Sequence, residues 1–245
     1  MDNAVDYARQ SIDFADQSGD ILQRIGKRTA LADALHQSGS LKEAEDTFKK
    51  AEEMQKERLP EYPILTSQGG LRYCDLLLGQ GKYGEVINRA KKCFEWHLSG
   101  NALSTIALDH LSLGRAYLLK AQAEDSDFTQ ADEHLDQAVV GLKQAGAQEF
   151  IIRGLLARAS LRRFKGNFDD AKHDVDEAFA IAHRGGMKLH LADCHLEYAR
   201  LYLAMGNKDE AKTNLTTAKD MITRIGYHRR DKEVQELEKQ LSGNG

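Results

Sequence analysis

The chain is predicted to fold as an all-α, right-handed solenoid of antiparallel helix pairs, on three observations. A phrase built from small and bulky apolar residues recurs five times: Ala44, Phe48, Ala51; Val86, Ala90, Cys93; Ala131, Leu135, Ala138; Ala171, Val175, Ala178; and Ala211, Leu215, Ala218. Their first members lie 42, 45, 40 and 40 residues apart, a period at which each unit buries its apolar face only by stacking on its neighbours. Upstream of each phrase apolar residues return every three or four positions, as in Leu196, Ala199 and Leu203. That is the helical period rather than the strand period.

The elements follow in order. Residues 1–20 read as a second helix without its first, because Ala4, Ala8 and Ser11 stand 40 positions before Ala44, Phe48 and Ala51; a start in mid-repeat is the expectation for part of a longer array. Five units come next, at 21–59, 64–98, 102–146, 148–184 and 188–225. Both prolines, Pro60 and Pro63, fall in the connection between the first two. The third unit carries extra residues, Ala121 to Asp125, expected as an extended turn over 121–127 or a longer first helix. Residues 229–241 are predicted as a C-terminal capping helix and 242–245 as a disordered tail.

Within the units the punctuation is regular. Gly39, Gly81, Gly166 and Gly206 each follow a first helix, where a left-handed residue is wanted. Ser40, Asp127, Asn167 and Asn207 then precede Glu43, Gln130, Asp170 and Glu210 by three positions. That spacing predicts capping boxes, in which side chains satisfy the first free amides of the second helix.

Composition narrows the function. The net charge of −4 is spread with both signs mixed, unlike the concentrated basic face that nucleic acid requires. There is no apolar run of membrane-spanning length and no basic-then-apolar leader. Cys74, Cys93 and Cys194 show no paired spacing and sit in helical patterns, so they read as buried reduced thiols of a cytoplasmic protein.

Local matches to chemical motifs are weak. Gly79-Gln80-Gly81-Lys82-Tyr83-Gly84 spells G-x-G-x-x-G, but a dinucleotide site needs that string after a strand. Here a helix precedes it and Gly81 is the repeat turn. His190, Cys194 and His195 form the densest group of metal-ligand types, without the third or fourth ligand that zinc needs; His110 and His195 share one repeat position and read as packing residues. His228-Arg229-Arg230-Asp231 reads as a solvated basic turn. No nucleophile elbow and no H-E-x-x-H is present. The expectation is a protein without catalytic activity, cofactor or metal.

In the first helices, Leu113-Gly114 with Tyr117 and Tyr198-Ala199 with Tyr202 give a bulky–small pair followed by an aromatic. In this the units resemble tetratricopeptide repeats, in a long-period form; Arg158-Ala159 with Arg162 departs by placing charge at apolar positions. Segments 72–90, 107–118, 185–201 and 225–238 also resemble the repeat tails of bacterial NACHT and NB-ARC signalling ATPases. That resemblance implies a sensor or autoinhibitory platform that docks an upstream domain, although the chain itself has no P-loop.

Stacked pairs of this kind put the first helix of each unit on the concave wall. Carried over unit by unit, the wall residues are Asp33 and His36; Asp75 and Leu78; Arg115 and Leu118; Arg153, Ser160 and Arg163; and Asp193 and Arg200. The wall is expected to bind a protein or peptide segment bearing acidic groups or a C-terminal carboxylate, its arginines gripping carboxylates in bidentate fashion. Docking of the chain's own upstream domain and closure around a metabolite are the alternatives.

Overall fold

The computed structural model describes residues 1–100 and 103–243, as well as twelve α-helices and one 3-10 turn without any strand among them. The helices are α1 Asp2–Ser18, α2 Ile21–Gln37, α3 Leu41–Arg58, α4 Ser67–Gly79, α5 Tyr83–Gly100 and α6 Leu103–Glu124. After these come α7 Thr129–Ala145, α8 Gln148–Phe164, α9 Phe168–Arg184, α10 Lys188–Ala204, α11 Lys208–Ile225 and α12 Asp231–Leu241, with the 3-10 turn at His228–Arg230. The chain is an all-α solenoid of antiparallel pairs, α2/α3 through α10/α11. Successive first helices α2, α4, α6, α8 and α10 stack on one another to form the inner wall.

The recurring phrase is the seam of the stack. All fifteen of its residues in α3, α5, α7, α9 and α11 are buried, because two helices approach closely only where one of them presents a small side chain. Leu135 makes this concrete: a Cβ at Gly114 would lie 2.7 Å from its Cγ, so glycine alone fits opposite it. Overpacking such a seam costs about 1–3 kcal/mol. Ala171, also buried, is therefore expected to lower the melting temperature by several degrees when replaced by leucine; an unchanged melting temperature would contradict the register. In α1 the seam shifts. Val5 and Ala15 are buried while Ala4 is exposed.

The turns close by backbone rather than by side chains. Gly39 adopts φ 87° and Gly206 φ 82°, and the residues after them complete Schellman bonds, Ser40 N to Leu35 O at 2.9 Å and Asn207 N to Tyr202 O at 2.8 Å. Ser40, Asn167 and Asn207 then make no capping bond, contrary to the capping-box expectation. Their ψ angles of 62–76° belong to an inverse γ-turn rather than the extended region of an N-cap. The first amide of the helix donates to the glycine carbonyl two residues back, as Leu41 N does to Gly39 O at 2.9 Å. By contrast Asp20, with ψ 111°, accepts from the amides of Leu22 and Gln23.

Three further expectations change. The extra residues of the third unit continue helix α6 to Glu124, with Ala121 buried, so the connection before α7 is only 125–128 rather than a turn over 121–127. The C-terminal cap begins at Asp231, because residues 229–230 belong to the 3-10 turn; Val234 and Leu237 seal α12 over the last pair. Ser242 and Gly243 continue as a turn, and residues 244–245 of the expected tail, like residue 102 at the head of the third unit, lie outside the described residues.

The solenoid also closes on itself, which the sequence does not announce. The 3-10 turn packs against α2: Arg229 Nη1 donates to Gln37 Oε1 at 3.3 Å, and a Cβ at Gly39 would lie 3.2 Å from that of His228. One turn of the superhelix thus encloses the inner wall.

Candidate functional site: the interior groove

A spacing of three puts Asp33 and His36 of α2, Asp75 and Leu78 of α4, and Arg115 and Leu118 of α6 on one face of their helices. Spacings of seven and three align Arg153, Ser160 and Arg163 of α8, and a spacing of seven aligns Asp193 and Arg200 of α10. All eleven line one interior cavity of about 1170 Å³. Leu156 and Phe164 of α8 and Leu203 of α10 add apolar surface beside them. Tyr227, Arg229, Arg230 and Glu233, from the closing turn and α12, complete the lining; of the basic turn read from sequence as solvated, His228 and Asp231 are exposed while Arg229 and Arg230 fold inward, the Arg229 side chain only 13% exposed.

The charges of the groove pair across units. Asp75, 2% exposed, accepts from Arg115 and, at 2.7 Å, from Arg153, with Arg229 at 3.8 Å. Burial alone would raise its pKa; the three guanidiniums outweigh burial and hold it far below the usual carboxylate range. Glu197 accepts from Arg163 at 2.8 Å and from Arg200 at 3.2 Å. Glu233 accepts from Arg200 and from Arg230 at 2.5 Å, and Asp193 from Arg230 at 2.8 Å and the Tyr227 hydroxyl at 3.1 Å. Burial raises and Arg230 and Arg200 lower the Glu233 pKa, to about 2.

His36, 2% exposed, keeps Nδ1 without a hydrogen-bond partner. Burial first and then Arg229 lower its pKa from 6.5 to about 2, so it stays neutral in the fold. His110 is lowered to about 4, and His134 and His190 are lowered as well, burial being the leading cause in each. Above pH 5 His36 and His110 take up protons mainly on unfolding, so their contribution to stability is complete above pH 6.5 and falls as pH drops through the unfolded-state value. Each contributes up to about 1.4 kcal/mol per pH unit. The urea midpoint should therefore decline from pH 7 to pH 5, offset only in part by Asp109, whose carboxyl burial raises to about 6 so that it takes up its proton within the fold; a flat profile over that interval would contradict the buried neutral state.

The remaining candidates disperse. His190 Nδ1 lies 3.9 Å from Asp193, whereas His195 turns toward α11, with Nδ1 at 2.9 Å from Asn214 Oδ1 and its ring edge-on to Phe179. No group of three or more His, Cys, Asp or Glu is placed to hold a metal ion among the described residues. Arg158 and Arg162, which broke the repeat pattern, do not line the groove: both pair with the fully buried Asp174 of α9. Gly79–Gly84 is the junction of α4 and α5, not a strand-to-helix loop. No helix among the described residues is long and apolar enough to cross a membrane.

The comparisons with known proteins agree with this architecture. The model of the tetratricopeptide repeat family matches residues 28–58 and 192–222, the α2/α3 pair and the α10/α11 pair. Repeats of this family are typically non-catalytic and bind protein or peptide partners as interaction scaffolds. The chain is similar in fold to a solved structure described as BtubC (BKLC) from P. vanneervenii, at a TM-score of 0.57 and 14% identity over 91% of each chain. No curated protein matches the sequence.

Proposed function

We propose that the protein is a non-catalytic scaffold whose interior groove holds a segment of a protein or peptide partner carrying acidic groups, a C-terminal carboxylate among them. Its setting, in this reading, is cytoplasmic, as the sensor or regulatory part of a larger bacterial signalling protein. The observation that carries it is the gathering of Arg115, Arg153 and Arg229, from two repeat units and the closing turn, around one buried carboxylate beside Leu118 and Leu156. Arginines so placed recognise carboxylates by charge and by fork geometry. The cavity, about 1170 Å³, exceeds the roughly 300–1,000 Å³ usual for small-molecule pockets, which favours an extended chain as the occupant. Enclosure by the 3-10 turn supports a second reading, a metabolite sensor whose superhelix closes on its ligand.

Fluorescein-labelled hexaglutamate tests the first reading. Its anisotropy should rise on addition of the protein, the effect should weaken with salt, and hexalysine should give none. Equal responses to both peptides, or no response to either, would contradict it.

A further inference from the structure

The interior charges form two unequal clusters. Toward the C-terminal end three arginines, Arg163, Arg200 and Arg230, face three carboxylates, Glu197, Glu233 and Asp193. Around Asp75 the balance differs. Arg115, Arg153 and Arg229 converge on that single carboxylate from α6, α8 and the 3-10 turn. The adjoining Arg72–Asp33 pair, at 3.5 Å, is balanced in itself. Glu149, which accepts from Arg153 at 3.4 Å, is 42% exposed at the rim. Four guanidiniums therefore meet three carboxylates in all, and three meet one at the centre.

Positive charge in excess and away from water is costly, and an anion relieves it. The donors to hold one are in place. Each guanidinium offers five N–H groups. Arg115 spends a bond on Asp75, Arg153 bonds Asp75 and Glu149, and Arg229 bonds Gln37. Asp75 keeps the three forks ordered while the site is empty. The buried His36, on the facing helix α2, brings a ring nitrogen that no other group satisfies.

We propose that Arg115, Arg153, Arg229 and His36 form an anion subsite for a phosphate monoester or comparable tetrahedral dianion, carried by the ligand that enters the groove. A carboxylate brings one charge and two oxygens. A phosphoryl group brings nearly two charges and three strong acceptor oxygens, which suits a positive excess whose donors arrive from three directions. The proposal rests on the reading of the groove as the binding surface, and it names the group that the groove selects.

Inorganic phosphate is the probe, titrated calorimetrically and by melting temperature against chloride at equal ionic strength. Phosphate should bind and should raise the melting temperature beyond the chloride control. Arg115→Gln and Arg229→Gln should each weaken binding at least tenfold, whereas Arg9→Gln, in an exposed pair with Glu43 outside the groove, should leave it unchanged. Circular dichroism on each variant separates loss of the site from loss of the fold, and Arg229, on the short closing turn, is the variant least coupled to the helical stack. Phosphate no better than chloride on the wild type, or wild-type binding by a folded Arg229→Gln, would overturn the subsite. A peptide containing phosphoserine that binds more tightly than inorganic phosphate assigns the dianion to a protein partner; equal affinity assigns it to a small phosphorylated molecule, and either result upholds the subsite. Binding of hexaglutamate without any effect of phosphate removes the subsite and leaves the groove reading intact; the reverse pattern removes the peptide reading alone.

Discussion

Replacing Asp174 by alanine should destabilise the protein by about 3–5 kcal/mol. Asp174 is fully buried on α9 and accepts from Arg158 Nε at 2.9 Å and Nη2 at 2.7 Å and from Arg162 Nη1 at 2.8 Å. Its removal leaves two guanidiniums with little water and, as partners, the half-exposed Asp136 at 3.0 Å from Arg158 and the Asp170 carbonyl at 3.2 Å from Arg162. Domains of this kind have only about 5–15 kcal/mol in total, so the variant should unfold at a much lower urea concentration. Replacing all three residues by apolar ones, as Arg158→Leu, Asp174→Leu and Arg162→Tyr, should be neutral or stabilising, because it removes desolvated charge instead of stranding it. A single variant whose urea midpoint matches the wild type would show that the trio is solvated.

The second large effect is on binding. Arg115→Gln combined with Arg200→Gln should weaken hexaglutamate capture at least tenfold while leaving the helical signal intact. Neutral replacement is the informative change. Reversing the charge would set a new carboxylate against buried Asp75 at one site and against Glu197 and Glu233 at the other, and like charges at such depth damage the fold itself. Glutamine removes the cation, keeps a donor and keeps most of the volume. Undiminished capture by the folded double variant would move the interface off the inner wall.

What the sequence made legible follows from what is local. Seam residues such as Ala131, Leu135 and Ala138 were readable because close helix contact demands small side chains at fixed spacing, and each unit repeats the demand. Gly39 and Gly206 were readable because a left-handed turn tolerates little else. The inner face of each first helix followed from that register, which is why Asp33 through Arg200 could be assigned to one wall.

What stayed hidden is non-local or depends on backbone detail. Arg153 meets Asp75 across 78 positions and Arg229 meets Gln37 across 192, and no periodicity encodes either pair. Asp174 carried no signal, since a lone aspartate in a helix is usually solvated; the two arginines out of pattern at 158 and 162 were the only trace of it. The capping motifs misled because Ser40, Asn167 and Asn207 sit in inverse γ-turns instead of the extended conformation that aims a capping side chain at the helix's free amides. The inward fold of the 3-10 turn needed the curvature of the whole stack, which five units set together and none sets alone.

The central claim, that the inner wall is the binding surface, is tested most directly by hydrogen exchange with and without the hexaglutamate peptide. The account predicts slowed exchange in α4, α6, α8 and α10 and in the 3-10 turn at His228–Arg230, with α7, α9 and α11 unchanged. Protection confined to α7, α9 and α11, with the inner helices and the closing turn unaffected, would contradict it.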